Sequence, residues 1–333
     1  MIIMIPEALW TYLFVFAGAL LTVAIAMVYL LCKYTEAYPK VHRYDEEKYF
    51  TNPNTGKKVA FPSIDENWSV NISVIVPAYN EETRLPPMLD DCLKYLEEKS
   101  RSGVSYEIII VSDGSTDKTV EVAESYAKKY NTIRVLALTK NRGKGGAVRL
   151  GMLSARGSVM LFADADGATT FNDLDKLNES LRSILGFDYI NSPGKTAESH
   201  AIVCGSRAHL EEEEKAKRSL FRLFLMYGFH FLVWLLCVRS VHDTQCGFKL
   251  LTRASARLVF AALHVERWAF DVEMLYIAEV LNLPITEVAV EWQEIDGSKI
   301  VPVWSWLQMG RDLGLISLRY KLGAWKIAKP KVN

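Results

Sequence analysis

From Ala8 to Cys32 the chain runs for 25 residues without a charged side chain. About 20 apolar residues in a helix cross a bilayer, so residues 1–32 are expected to be a transmembrane anchor. A cleaved leader would have a shorter apolar core with positive charge before it. Here only Glu7 precedes the run, while Lys33, Lys40, Arg43 and Lys48 follow it. That asymmetry puts the bulk of the chain on the cytoplasmic face. Residues 33–70 are turn-rich and aperiodic, and read as a juxtamembrane tether.

The pattern then changes. Ile72–Val76, Glu107–Val111, Arg134–Leu138 and Val159–Ala163 are short, nearly continuous apolar runs. Leu89, Leu93 and Leu96 mark one face of a helix between the first two runs. Val120, Ala123, Ala127 and Tyr130 mark the next helix, with Ser115 as a plausible cap and Asp117 in its first turn. Buried strands alternating with helices predict a parallel sheet covered on both faces.

Each of these four strands is followed by a loop with chemistry in it. They are PAYNEE (77–82), SDGSTD (112–117), TKNRGKGGA (139–147) and DADGATT (164–170). Ligands bind at the carboxyl edge of such sheets, where the loops diverge. Asp164 and Asp166 can hold a hard divalent cation, and through it a diphosphate. Taken alone, an Asp-x-Asp is equally a solvated turn closed by Gly167. The glycine run lacks the Walker A spacing, but amides at Gly143, Gly145 and Gly146 beside Lys144 suit an anion. Four such loops on one edge predict a nucleotide-diphosphate site.

Later stretches are more ambiguous. Leu223–Val238 is 16 residues without formal charge if His230 is neutral, short for a crossing. Residues 219–238 are therefore expected to be a membrane-associated helix, in-plane or re-entrant, with Arg218 and Arg222 towards head groups. The alternative is a buried core helix. A full crossing would also split the polar motifs on either side of it across the bilayer. Residues 301–333 interleave Trp304, Trp306, Tyr320 and Trp325 with Arg311, Arg319, Lys321 and Lys326, a pattern suited to an interfacial amphipathic tail. Packing back on the catalytic domain is the alternative. The acidic run Glu211–Glu214 reads as a solvated helix face.

Composition narrows this little further. The 39 basic and 39 acidic side chains balance, so no global field points to nucleic acid. The five cysteines at 32, 92, 204, 237 and 246 have no paired or metal-ligand spacing, which fits a reducing compartment.

The ordered set PAYNEE, SDGSTD, NRGKGG, DADG, GSRAH (205–209), DTQCGFK (243–249) and ERWAFDVE (266–273) resembles a family 2 glycosyltransferase. The resemblance covers nearly the whole chain. It implies a Rossmann-like, GT-A type α/β domain, with residues 71–218 as its nucleotide-sugar-binding half and 239–300 as its acceptor half, the anchor before it and interfacial helices towards its end. It further implies Mg²⁺ or Mn²⁺, and inverting transfer of glucose from UDP-glucose to dolichyl phosphate for protein N-glycosylation, at the endoplasmic reticulum membrane with the catalytic domain cytoplasmic. Pro77, Ala78, Tyr79, Asn80 and Glu81 would line the nucleoside pocket. Asp113 would face the uracil, with Gly143 and Lys144 near the nucleotide. Asp164 and Ala165 would lie by the ribose and metal, with Asp166 as the main metal ligand.

Acceptor recognition is left to the residue chemistry. Arg207 leads the candidates for the acceptor phosphate, because its planar fork makes two hydrogen bonds; Lys249 and Arg267 follow. Any of them could instead be paired with a carboxylate. Asp271 leads Asp243 and Glu273 as a catalytic base, with Gln245 as a further catalytic candidate. A phosphate acceptor, already largely dianionic, needs positioning more than deprotonation. Rival readings are the same transfer with mannose from GDP-mannose, and a non-catalytic membrane adaptor. Membrane lipid is an expected partner; the sequence identifies no protein partner.

Overall fold

The computed structural model describes residues 7–210, 220–295, 297 and 304–327. The run Glu211–Glu214, Arg218 and the side chains of Arg222, Trp304 and Trp306 lie outside the described residues.

Helix α1 (Glu7–Tyr34) exposes its apolar side chains from Phe14 to Leu30, apart from the half-buried Val28, and meets the rest of the chain at Cys32 near its end. Its segment Phe14–Tyr34 is, among the described residues, the one helical stretch long and apolar enough to cross a membrane. The tether has more structure than its sequence suggested. A short hairpin, β1 (Tyr49–Thr51) with β2 (Lys58–Ala60), forms within it. Just before the hairpin, Glu47 is fully buried. Its carboxylate accepts from Thr139 N at 3.0 Å, Tyr44 N at 3.0 Å and Arg142 Nη2 at 2.6 Å. One buried carboxylate thus docks the tether onto the α/β domain.

The α/β domain is built on β3 (Val70–Ala78), β4 (Tyr106–Ser112), β5 (Ile133–Ala137) and β6 (Gly157–Ala163), which lie parallel in the order β5-β4-β3-β6. The apolar runs are buried from both sides, as a doubly covered sheet requires. Helix α2 (Leu85–Arg101) turns Leu89, Leu93 and Leu96 inward, as its spacing predicts. Helix α3 (Thr119–Lys129) begins later than expected, and its first turn is held by Asp117, which accepts from Thr119 N at 3.0 Å. Ser115 instead accepts from Asn80 N at 3.2 Å, tying the first two loops together.

Beyond β6 the sheet is mixed. The order continues β6-β8-β7-β9, with β7 at Ile202–Ser206, β8 at Phe248–Thr252 and β9 at Ile285–Ala289. Strand β8 runs antiparallel to both β6 and β7. The two halves expected at 71–218 and 239–300 therefore share one sheet. Reversal has a chemical consequence: Phe248 pairs with Ala163, so the stretch Asp243–Gly247 enters at the same edge from which Asp164 leaves.

Helices α4 (Lys144–Leu153), α5 (Asp173–Leu185), α6 (Pro193–Glu198), α8 (Arg253–Ala262) and α9 (Phe270–Val280) cover the sheet. Between α6 and α8, helix α7 (Leu220–Leu236) buries Phe229 and Val233 against the core. Its other side exposes Tyr227, Phe231, Leu232, Trp234 and Leu235. Helix α10 (Trp304–Lys321) packs back on the α/β domain through Met309, Leu313 and Ile316. All five cysteines are free thiols.

Candidate active site

Loop 77–82 and loop 112–117 are laced together before any ligand is considered. Asn80 adopts a left-handed backbone (φ 55°), which asparagine tolerates better than most residues. Its Oδ1 accepts from Thr116 N at 2.8 Å, and Glu81 N donates to Thr119 Oγ1 at 2.7 Å. Pro77 and Ala78 end β3 beside Val111 and Ser112, and the Tyr79 ring is exposed at the lip. The nucleoside candidates thus form one wall.

Asp113 closes that wall differently from expectation. Its two oxygens accept from Arg142 N at 2.7 Å and Gly143 N at 2.8 Å. Burial pushes this carboxyl up to about 6 even though both hydrogen bonds favour its ionised form. Its visible work is to hold the glycine loop in place.

The glycine run is likewise explained first by packing. A Cβ on Gly143 would sit 2.7 Å from Glu266 O, and one on Gly145 would sit 2.5 Å from Phe270 Cβ. Gly146 N donates to Glu266 O at 2.9 Å. Two of the three amides offered to an anion, Gly143 and Gly146, are therefore already used. This corrects the anion-loop reading: ERWAFDVE needs close backbone approach, and only Lys144 carries charge from this loop into the site.

Lys144 meets Asp164 at 2.6 Å. Burial lowers the lysine's proton affinity, but Asp164 more than restores it, so the ammonium stays charged. Asp166 lies two residues on, half-buried, accepting from Ala168 N at 3.0 Å. Burial, and next the charge of Asp164, raise its carboxyl above the ordinary range. Two carboxylates crowded at a half-buried sheet edge are a donor set that a divalent cation would relieve. Ala165 between them is buried.

Two residues here had escaped notice in the sequence. The Gly247 carbonyl accepts from Asp164 N at 3.0 Å, and a Cβ at Gly247 would fall 2.0 Å from Asp164 Oδ2. Its position just before an apolar strand was the available signal. Arg84 forks onto Glu81 with two contacts of 2.6 Å, and the charges of Asp166 and Asp164 also act on it. Nothing local in the sequence marks it.

The acceptor candidates divide sharply. Arg207 forks onto Asp243 through Nε at 2.7 Å and Nη2 at 2.8 Å, with its backbone N on the same carboxylate at 2.9 Å. Burial raises Asp243, but the guanidinium outweighs it and holds the carboxyl down to about 2. Asp243 is thus a partner for Arg207 rather than a base. Arg207 keeps 30% of its side chain exposed, so it can still meet a ligand.

Lys249 cannot. It is fully buried, and its three N–H groups go to Thr244 O at 3.1 Å, Cys246 O at 2.6 Å and Asp271 Oδ1 at 2.7 Å. An ammonium has three donors, so none remains for an acceptor phosphate. The same pairing consumes Asp271, only 2% exposed, as a base. Glu273 diverges from Asp271 because both sit on helix α9. It is fully buried and accepts from His264 N and Val265 N at 3.0 and 2.6 Å and from the Tyr320 hydroxyl at 2.7 Å. It clasps α10 to the domain. Arg267 lies on the wall of a separate cavity. Gln245 has a buried Nε2 without a hydrogen-bond partner among the described residues. Such a donor at the edge next to Asp164's neighbour Gly247 is available to a substrate oxygen.

Comparison with known proteins bears on this edge. Residues 73–185, which span β3 to α5, match the model for glycosyl transferase family 2. Dolichyl-phosphate beta-glucosyltransferase of Drosophila melanogaster is 55% identical over 328 residues, covering 96% of this chain and 98% of that protein. The Homo sapiens enzyme of the same name is 52% identical over 320 residues, covering 94% and 96%. The Saccharomyces cerevisiae one is 40% identical over 318 residues, covering 92% and 93%. Identity at that level along nearly the whole length leaves one assignment: the chain belongs to the dolichyl-phosphate β-glucosyltransferase family, within family 2 of the glycosyl transferases.

Proposed function

We propose that this chain transfers glucose from UDP-glucose to dolichyl phosphate with inversion, giving dolichyl β-D-glucosyl phosphate and UDP. Full-length kinship with enzymes of that name carries the reading. The donor would lie along the edge made by residues 77–81, 113, 143–144 and 164–166. Asp164 and Asp166 would hold Mg²⁺ or Mn²⁺, which when bound neutralises charge on the departing diphosphate. Lys144 adds a fixed positive charge to the same place, and Gln245 offers an unspent amide donor. Arg207 would orient the acceptor phosphate. No side chain is needed as base, because a phosphate monoester with a second pKa of about 6 arrives largely ionised. This accounts for a site whose acceptor-side carboxylates are all engaged elsewhere.

The membrane arrangement belongs to the same proposal. Helix α1 would anchor the chain in the endoplasmic reticulum membrane with the catalytic domain cytoplasmic, and α7 would rest its exposed apolar side in the interface. Asn67, which begins an Asn-Trp-Ser acceptor pattern, is exposed and would remain without glycan in that orientation. The deciding experiment is radiolabelled transfer by the purified protein with dolichyl phosphate and metal, UDP and GDP competing. Inhibition by UDP and loss of product with chelator are expected. Preferential inhibition by GDP would point to a mannose donor, and metal-independent UDP binding without transfer to an adaptor.

A further inference from the structure

A cavity of about 710 Å³ is walled by the tether, by the loop before Gly143, by His264–Arg267 and by α10. Lys144, Asp164, Asp166, Arg207 and Asp271 are all absent from its lining. Six cationic side chains line it (Lys40, Lys140, Arg142, Arg267, Arg311 and Arg319) against two carboxylates, Glu266 and Asp312. Arg142 is answered by Glu47, Arg311 by Asp312 and Lys40 by Glu36. Lys140, Arg267 and Arg319 take part in no ion pair among the described residues.

Two buried nitrogens on the lining sharpen the charge argument. Arg319 Nε and His264 Nε2 have no hydrogen-bond partner among the described residues. Both side chains are held rigidly against Trp325. The His264 ring stacks on it at 4.1 Å, and the Arg319 guanidinium lies 4.8 Å from its centroid. Arg319 Nε is a donor, and buried donors are rarely left unpaired; His264 Nε2 is one only in the imidazolium, because Nδ1 faces the Glu273 carboxylate at 3.2 Å. The unspent guanidinium donor belongs to a basic wall, which suits an anion with several acceptor oxygens.

The anchor's end fixes where that anion comes from. Cys32 Sγ donates to Leu322 O at 3.4 Å, and Lys326 N donates to Ala37 O at 2.8 Å. The end of α1 is thereby pinned beside the end of α10, which forms one wall. Lys40 follows Tyr34 by six residues, so it lies within about 20 Å of the helix end even at full extension. A cavity so placed is within reach of bilayer head groups.

We propose that it seats the phosphate headgroup of an anionic bilayer phospholipid, separate from the site of glucose transfer. The acceptor phosphate is not the occupant, because transfer needs reacting atoms about 3–3.5 Å apart and no donor-side group lines the cavity. The seat touches the active site through packing. Arg267 Cγ would lie 3.0 Å from a Cβ on Gly143, and Glu266 O accepts from Gly146 N. A bound headgroup therefore bears on the loop that carries Lys144.

Calorimetric titration of the full-length protein in neutral detergent tests this, with dihexanoyl phosphatidylglycerol, dihexanoyl phosphatidylcholine and inorganic phosphate as probes. Phosphatidylglycerol should bind one to one, at least tenfold more tightly than the other two. Arg311→Gln with Arg319→Gln should weaken it tenfold or more. Lys140→Gln, at an exposed position, should weaken it about threefold with an unchanged melting curve, so the result stands even if the double variant folds poorly. Equal affinity for all three probes, or unchanged affinity in both variants, would overturn the seat. One-for-one displacement by a short-chain polyprenyl phosphate would overturn its separateness and make it the acceptor's own site. Glucose transfer measured on the same preparation keeps the outcomes apart: binding without transfer counts against the proposed function alone.

Discussion

The two halves of the central sheet treat their charges in opposite ways. On the parallel side, Asp164 and Asp166 crowd each other at a half-buried edge, with Lys144 the ion-pair partner of the first. On the mixed side, Arg207–Asp243 and Lys249–Asp271 are closed pairs, and Glu273 is saturated by two amides and a hydroxyl. Crowded like charge is costly to fold and useful to a cation; closed pairs hold a strand in place. The same residue types therefore crowd together at the end of β6 and pair off across the mixed side.

That contrast predicts different losses. The largest should come from Asp166→Asn: transfer lower by about 10³-fold with little change in melting temperature, checked by radiolabelled transfer beside thermal denaturation. Metal-dependent turnover at the parent rate would remove Asp166 from the chemistry. Across the sheet, Lys249→Met should cost about 3 kcal/mol or more of stability, because it strands Asp271 in the interior. Lys249→Met with Asp271→Leu should recover most of it in urea titrations. If the single variant keeps its midpoint but loses transfer, the pair is catalytic and the contrast fails.

Acid should dissect the other pair. The Asp243 carboxyl is held at about 2 against an ordinary 3.8. A depressed carboxyl stabilises the fold above its unfolded value, and that contribution is lost as pH falls from about 4 towards 2. It amounts to about 2 kcal/mol, and Asp243→Asn should flatten that limb of the stability–pH curve. An unchanged limb would mean the Arg207 fork contributes nothing to folding. The smallest effect should be that of Arg207→Lys: a roughly tenfold higher KM for dolichyl phosphate with UDP binding intact. Equal weakening of UDP binding would place Arg207 on the donor side.

Much of the parallel half could be read directly. Its apolar runs are separated by loops that sit beside their own strands, so local pattern and tertiary position coincide. Asp164, Asp166 and Lys144 were found that way. The mixed half was harder because its partners are distant in the chain. Lys249 and Asp271 are 22 positions apart, Arg207 and Asp243 are 36, and no periodicity relates them. For the same reason Arg84 and the docking of the tether through Glu47 left no local trace.

By itself, then, the sequence determined the apolar helix before the domain, the strand-and-helix alternation, the four loops at one edge and the carboxylates that end the fourth strand. These follow from hydrophobic period and turn chemistry, which act over a few residues. Only the tertiary structure decided the reversal of β8, and with it the meeting of Gly247 and Asp164. It also decided which glycines serve packing, and which carboxylates are already engaged. Burial and hydrogen-bond saturation depend on what the rest of the chain brings alongside, and a side chain's identity does not record its partner.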